Sequence, residues 1–215
     1  MHREGGARTV DTEARDTEAR DTEASKRALR RDLLELRSRL PEGDTRETAA
    51  VLAQRALELP ELAEAGTVAA YVSIGSEPGT RVLLDALRAR GVRVLLPVLL
   101  PDNDLDWGTY EGPERLVAAR RGLLEPSGPR LGPDAVTSAD AVLLPGLAVD
   151  ARGVRLGRGG GSYDRVLARL EAAGAAPVRV VLLYENELLA EVPGEAHDQP
   201  VHVAVTPAGV TRFPR

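Results

Sequence analysis

The chain has 215 residues, of which 43% are hydrophobic, and a formal net charge of −5. That length allows one domain with at most an extension, and the apolar fraction is enough for a full core. The absence of cysteine excludes disulfides, thiolate metal ligands and a thiol nucleophile, and the acidic balance argues against nonspecific nucleic-acid binding, which basic patches dominate.

No run approaches the roughly 20 apolar residues that a membrane span needs. The polar N-terminus lacks the apolar core of a secretory signal, so the expectation is a soluble, cytoplasmic protein. With one Trp, four Tyr and one Phe, the core must be built from Leu, Val and Ala. Of the 28 basic residues only Lys26 is a lysine. It offers a compact point charge that arginine does not.

Residues 1–24 carry a repeat: Asp11-Thr-Glu-Ala-Arg, Asp16-Thr-Glu-Ala-Arg, Asp21-Thr-Glu-Ala-Ser. It has no apolar residue larger than Ala and is expected to be a disordered or loosely helical acidic tail ahead of a domain spanning 25–215. Ser25 can cap a helix to about Arg39, with Leu29, Leu33, Leu36 and Leu40 as its buried stripe. Lys26 and Arg30 share one turn near its start, either as a solvated basic edge or as a pair over a phosphate. A second helix is expected from Asp44, with Glu47 completing a capping box, to Leu59 before Pro60.

A strand follows at Thr67–Val72, then a loop holding Ser76, Glu77 and Thr80, then a helix from Pro78 to Arg90. Glu77 is either a helix-dipole acid or a carboxylate for an amino-substituted heterocycle. Further strands are expected at Val92–Leu96, ending at Pro97, and at Leu105–Glu111, Ala141–Leu144, Val178–Leu183 and Val201–Val205. A loop is expected at Asp134–Ala139, and helices at Ser162–Ala173 and, briefly, from Tyr184. Unbroken Val/Leu runs alternating with helices predict a three-layer α/β/α domain with a mostly parallel central sheet.

The densest cluster is Arg155-Leu-Gly-Arg-Gly-Gly-Gly-Ser-Tyr-Asp-Arg165, with four glycines and three arginines in eleven residues. It feeds a helix start, a favourable place for phosphate, although a glycine-rich loop alone is often only a tight connection. It is no Walker A loop, since no Gly-Lys-Ser/Thr follows, and its spacing makes a poor Rossmann fingerprint. Asp164 and Asp198 are acids near predicted ligand loops, and two such oxygens with nucleotide phosphates are the usual way of holding Mg²⁺. His197 and His202 are as well explained by a polar loop as by a metal site.

Several motifs in one order resemble the 5-formyltetrahydrofolate cyclo-ligase family: Lys26-Arg-Ala-Leu-Arg30, Ser76-Glu77 with Thr80, Trp107, Leu123-Leu-Glu-Pro126, Leu144 to Asp150, the Arg155–Arg165 loop, and His197-Asp198 with Val201. The resemblance implies ATP-dependent cyclisation of 5-formyltetrahydrofolate to 5,10-methenyltetrahydrofolate through a phosphorylated formyl group, releasing ADP and phosphate. It implies ATP binding by Lys26, Arg27, Ala28, Leu29 and Arg30 and by Arg155, Leu156, Gly157, Arg158, Gly159, Gly160, Gly161, Ser162 and Tyr163. Folate binding falls to Glu77 and to Arg158, Gly159, Gly160, Gly161 and Ser162. Catalytic roles fall to Lys26, Arg155 and Tyr163, and Mg²⁺ ligation to Asp164 and Asp198. The implied partners are small molecules, with no nucleic acid or membrane, for a monomer or weak homodimer. The chain departs from the family pattern at Ser162, where an aromatic usually stands, and at His202, where Asp is common. Two other readings are a non-catalytic nucleotide- or nucleic-acid-binding relative and, from architecture alone, a sugar-phosphate isomerase or CoA-transferase-like enzyme.

Overall fold

The Val/Leu runs become the middle of one sheet because strands buried on both faces need apolar side chains at every position. The computed structural model describes residues 6–194 and 198–214. Helices α1 (Gly6–Ser38), α2 (Glu42–Leu57) and α3 (Pro60–Ala63) precede β1 (Thr67–Ala69). Then come α4 (Arg81–Ala89), β2 (Arg93–Leu99), β3 (Leu105–Thr109) and the hairpin β4 (Leu116–Ala118) and β5 (Leu124–Pro126). The second half holds β6 (Ala141–Leu144), β7 (Ala148–Asp150), β8 (Arg155–Leu156), α5 (Ser162–Ala172), β9 (Val178–Leu182), β10 (Leu188–Leu189), β11 (Val203–Thr206) and β12 (Gly209–Arg212).

The main sheet has the order β12-β11-β9-β6-β1-β2-β3. Its five inner strands are parallel, and β3 and β12 close the two edges antiparallel. Alternation along each strand sends side chains to two separate cores. Val94, Leu96 and Leu143 pack with Leu52, Leu62, Leu84 and Leu87 under α2, α3 and α4. Leu95, Val142 and Leu144 pack on the other face with Val166, Leu167 and Leu170 of α5. A third, small cluster seats Leu33 of α1 on Leu147, Ala148, Leu156 and Val192. The expected three-layer α/β/α arrangement is the one observed.

Several boundaries differ from expectation. Helix α1 is continuous from Gly6, so Ser25 does not start a helix, and the acidic repeat runs without a break into the segment carrying Lys26. Ala, Glu and Arg, which fill much of the repeat, are good helix formers even with nothing to bury. The buried seam of α1 is Lys26, Leu33 and Arg37, whereas Leu36 is exposed and Leu29 and Leu40 are half-buried. Helix α2 begins at Glu42, with Pro41 rather than Asp44 at its N-cap. Helix α4 begins only at Arg81, because Ser73 and Thr80 tie the preceding loop to itself through bonds from Ser73 N to Thr80 Oγ1 and from Thr80 N to Ser73 Oγ. Strand β2 continues through Pro97 to Leu99, and residues 133–138 form 3₁₀ turns rather than a loop. The three-stranded sheet β10-β7-β8 and the β4–β5 hairpin have strands of two or three residues, too short to show a period. His197 lies outside the described residues.

Candidate active site

A cavity of about 410 Å³ opens over the C-terminal ends of β6, β1 and β2, where open α/β sheets bind ligands. Its polar end is built by α1 and by the loop between β8 and α5. Arg155 sits in the short β7–β8 hairpin, paired with Val149 across it. The loop then turns through Gly159 (φ 87) and Gly161 (φ 72), left-handed conformations that glycine adopts without a Cβ penalty. Gly161 caps α5, so the backbone N–H groups of the first turn face the cavity's polar end, a favourable setting for an anion.

Arg155 is almost fully buried. It donates to the Pro145 carbonyl at 2.8 Å and to Asp164 at 3.1 Å, and its Nε has no partner among the described residues. Burial pushes its pKa down, and Asp164, Tyr163 and Asp198 work against that fall. A desolvated guanidinium with a donor to spare is a site that gains from an incoming anion. Lys26 reaches from α1 to within 3.1 Å of Asp198. Arg30, one turn on, donates from Nε to the Gly157 carbonyl at 3.0 Å and pairs with Glu23.

Toward the sheet the lining changes. The loop after β1 folds Glu77 back, so that Oε2 accepts from Ile74 N at 2.9 Å while Oε1 lies 3.3 Å from Nη1 of Arg158. The Tyr163 hydroxyl is buried and has no partner among the described residues. Burial, with Glu77 adding to it, holds its pKa well above the ordinary phenol value, so it is present as a donor. Tyr71 is raised for the same reasons, chiefly burial and then Glu77. Beyond them Pro97, Leu99, Leu105, Leu123 and Leu124 make an apolar wall.

The 5-formyltetrahydrofolate cyclo-ligase family model matches residues 22–207. The chain belongs to that family. It is 44% identical over 188 residues to the 5-formyltetrahydrofolate cyclo-ligase of Mycolicibacterium smegmatis, covering 85% of this chain and 94% of that protein. The Escherichia coli protein of the same name is 33% identical over 160 residues, covering 74% and 87%. The solved Aquifex aeolicus 5,10-methenyltetrahydrofolate synthetase superposes with a TM-score of 0.75 at 29% identity, covering 88% of this chain and 93% of that one.

Of the residues singled out from sequence, Lys26, Arg30, Glu77, Arg155 through Asp164 and Asp198 all line the one cavity. Arg27 and Ala28 are exposed, and Leu29 packs against the small cluster beneath α1, so these three do not line it. Successive helical residues turn by about 100°, which separates neighbours in a motif onto different faces. His202 is engaged elsewhere: its Nδ1 accepts from Arg179 N at 3.1 Å. Sequence reasoning missed Tyr71, the last apolar residues of β2 and the buried pair Arg37–Glu187. Arg37 donates to Glu187 at 2.6 and 2.8 Å and to the Gly146 carbonyl at 2.7 Å, and its guanidinium lies 5.6 Å from the Tyr184 ring centroid. Burial lifts the Glu187 carboxyl, and Arg37 draws it back only part way. Arg37 itself loses by burial but ends raised, because Glu187 foremost, with Tyr71 and Glu77, outweighs that loss, and so it stays charged.

Proposed function

We propose that this enzyme closes 5-formyltetrahydrofolate to 5,10-methenyltetrahydrofolate with ATP, and that the glycine-rich loop is the seam between the two substrates. The observation that carries the reading is the buried Arg155, with a donor to spare, beside the N-terminus of α5 and in the same cavity as Glu77. The formyl oxygen attacks the γ-phosphorus, forming an O–P bond as the bridging P–O bond to ADP breaks. N10 then attacks the formyl carbon, the C–O bond to phosphate breaks, and the N10 proton is lost. Phosphoryl transfer of this kind calls for positioning and charge neutralisation rather than covalent help.

Lys26, Arg30 and Arg155, with the backbone from Leu156 through Gly161, are placed to hold the triphosphate. Arg27, Ala28 and Leu29 would contribute only through the helix they belong to. Glu77 accepts from the amino-substituted pterin, Arg158 and Ser162 border it, and the Tyr163 hydroxyl, without a partner among the described residues, donates to the substrate. Asp164 and Asp198 are suited to Mg²⁺ brought in by the nucleotide. Each is held by a cation on the cavity wall, Arg155 and Lys26, and among the described residues no group of three acids converges. Mg²⁺ accepts that arrangement, since one or two carboxylates suffice when phosphates supply further oxygens. When bound, the ion offsets charge on the β- and γ-phosphates. The reading carries with it a cytoplasmic enzyme acting on small molecules, as a monomer or weak homodimer.

The test is to mix the purified chain with 5-formyltetrahydrofolate, ATP and Mg²⁺ and to follow the methenyl chromophore. Lys26→Ala and Asp164→Asn should each lower turnover by at least about 100-fold, the scale of losing one transition-state charge contact, with the circular dichroism spectrum kept. No chromophore from the native chain at saturating ATP overturns the proposal. Near-native turnover in either variant removes that residue's assigned role.

A further inference from the structure

We propose that Arg121 sets specificity for the glutamyl end of the folate, binding its carboxylates at the cavity mouth; the inference rests on the reading just given. Leu123 N donates to the Arg120 carbonyl at 3.2 Å, closing a tight turn at the tip of the β4–β5 hairpin. Its two central residues, Arg121 (φ 61) and Gly122 (φ 72), are both left-handed, the requirement of a primed type I′ turn. Such a position favours Asn, Asp or Gly. Among the described residues only one other non-glycine has a positive φ, and it is Asn103, a residue type suited to it. An arginine at Arg121 costs the turn conformational energy that an asparagine would not, so the side chain has to be useful elsewhere.

Arg121 is exposed and lines the cavity beside Leu123 and Leu124, and its guanidinium makes no hydrogen bond or ion pair with another described residue. The sheet order runs β6-β1-β2-β3. The cavity therefore passes from the anion-binding end over β6, past Glu77 after β1, to the apolar wall of Pro97, Leu99 and Leu105 on β2 and β3. The substrate has the same sequence of chemistry: a polar pterin with its formyl group, then an apolar aminobenzoyl ring, then a glutamate with two carboxylates. With the pterin at Glu77 and the ring along the apolar wall, the carboxylates leave the cavity on the side where the β4–β5 tip holds its cation. The chain's net charge of −5 repels a dianionic tail overall, which makes a local forked cation at the exit more discriminating.

The test compares 5-formyltetrahydrofolate with 5-formyltetrahydropteroate, which lacks only the glutamate, in the native enzyme and in Arg121→Asn and Arg121→Lys. Asn removes the charge yet suits the turn, so thermal stability should be kept or raised. We expect Arg121→Asn to raise KM for 5-formyltetrahydrofolate about tenfold, one charge-assisted contact. KM for the pteroate and for ATP should stay near native, and Arg121→Lys should recover part of the loss. An unchanged KM for 5-formyltetrahydrofolate, or an equal rise for both folates, overturns the role of Arg121 while leaving the cyclisation reading intact. Failure of the native enzyme to turn over either folate overturns the cyclisation reading itself, and this inference with it.

Discussion

Arg158 meets Glu77 with Nη1 3.3 Å from Oε1, joining the glycine-rich loop to the loop after β1. Glu77 is the more buried of the two and also holds Ile74 N. If the pterin takes up Oε1 as proposed, Arg158, 42% exposed at its side chain, would be released from Glu77.

Glu77→Gln keeps the shape and the Ile74 contact but removes the charge. It should raise KM for 5-formyltetrahydrofolate by about 10- to 100-fold, the scale of a charge-assisted hydrogen bond, with a much smaller effect on KM for ATP. Steady-state kinetics with each substrate varied in turn decides it. Equal rises in both values would place Glu77 outside the pterin site.

Tyr163→Phe removes a buried hydroxyl that has no partner among the described residues. Deleting such a group relieves a desolvation penalty, so stability should hold or rise by up to about 1 kcal/mol in urea titrations. Activity should fall in the same variant, because the donor is kept for the substrate. A variant both as stable and as active as the native enzyme would show the hydroxyl to be idle.

Arg37 and Glu187 are each about 2% exposed. Removing one leaves an unpaired buried charge, and Arg37→Met or Glu187→Leu alone should cost about 3–5 kcal/mol, while the double variant should recover most of it. Urea denaturation of the three variants tests this as a double-mutant cycle. The double variant should still be slow in catalysis, because the Gly146 carbonyl, next to Pro145 on the cavity wall, loses its donor.

Asp150 ends β7 with its carboxylate buried. Burial works against its charge, but hydrogen bonds from the Arg152 side chain and from Val154, Arg152 and Val192 N outweigh this, so its pKa lies below the ordinary value. A depressed folded-state pKa contributes stability that is present above the unfolded-state pKa and is lost as pH falls through the folded one. The window is therefore below about pH 4. Asp150→Asn should be less stable by about 1–3 kcal/mol at neutral pH. The difference should shrink as pH drops through that window, as read from thermal melts across acid pH.

The sheet was legible because a doubly covered parallel strand needs Val or Leu at every position, and runs such as Ala141–Leu144 show it in composition alone. The glycine-rich loop was legible because its residue types are chemically unusual together. Arg37 and Glu187 were not, since they lie 150 positions apart and nothing local distinguishes a buried arginine from an exposed one. Tyr71 was hidden for a similar reason, since nothing local marks a buried tyrosine two residues past a strand's end as cavity lining. Arg27, Ala28 and Leu29 are the opposite case: they are contiguous in the motif, but of the five residues from 26 to 30 only Lys26 and Arg30 line the cavity.

On α1, Lys26 and Arg30 point into the cavity, while Leu33 and Arg37 anchor the helix to the domain. The spacing is four, three and four residues, which keeps all of them on one face. The helix therefore works like a key whose notches must keep their distances. Adding or deleting one residue between Arg30 and Leu33 would leave the anchor seated and turn the two cations by about 100°, out of the cavity. Inheritance can rewrite the letters of this segment more freely than it can change their number.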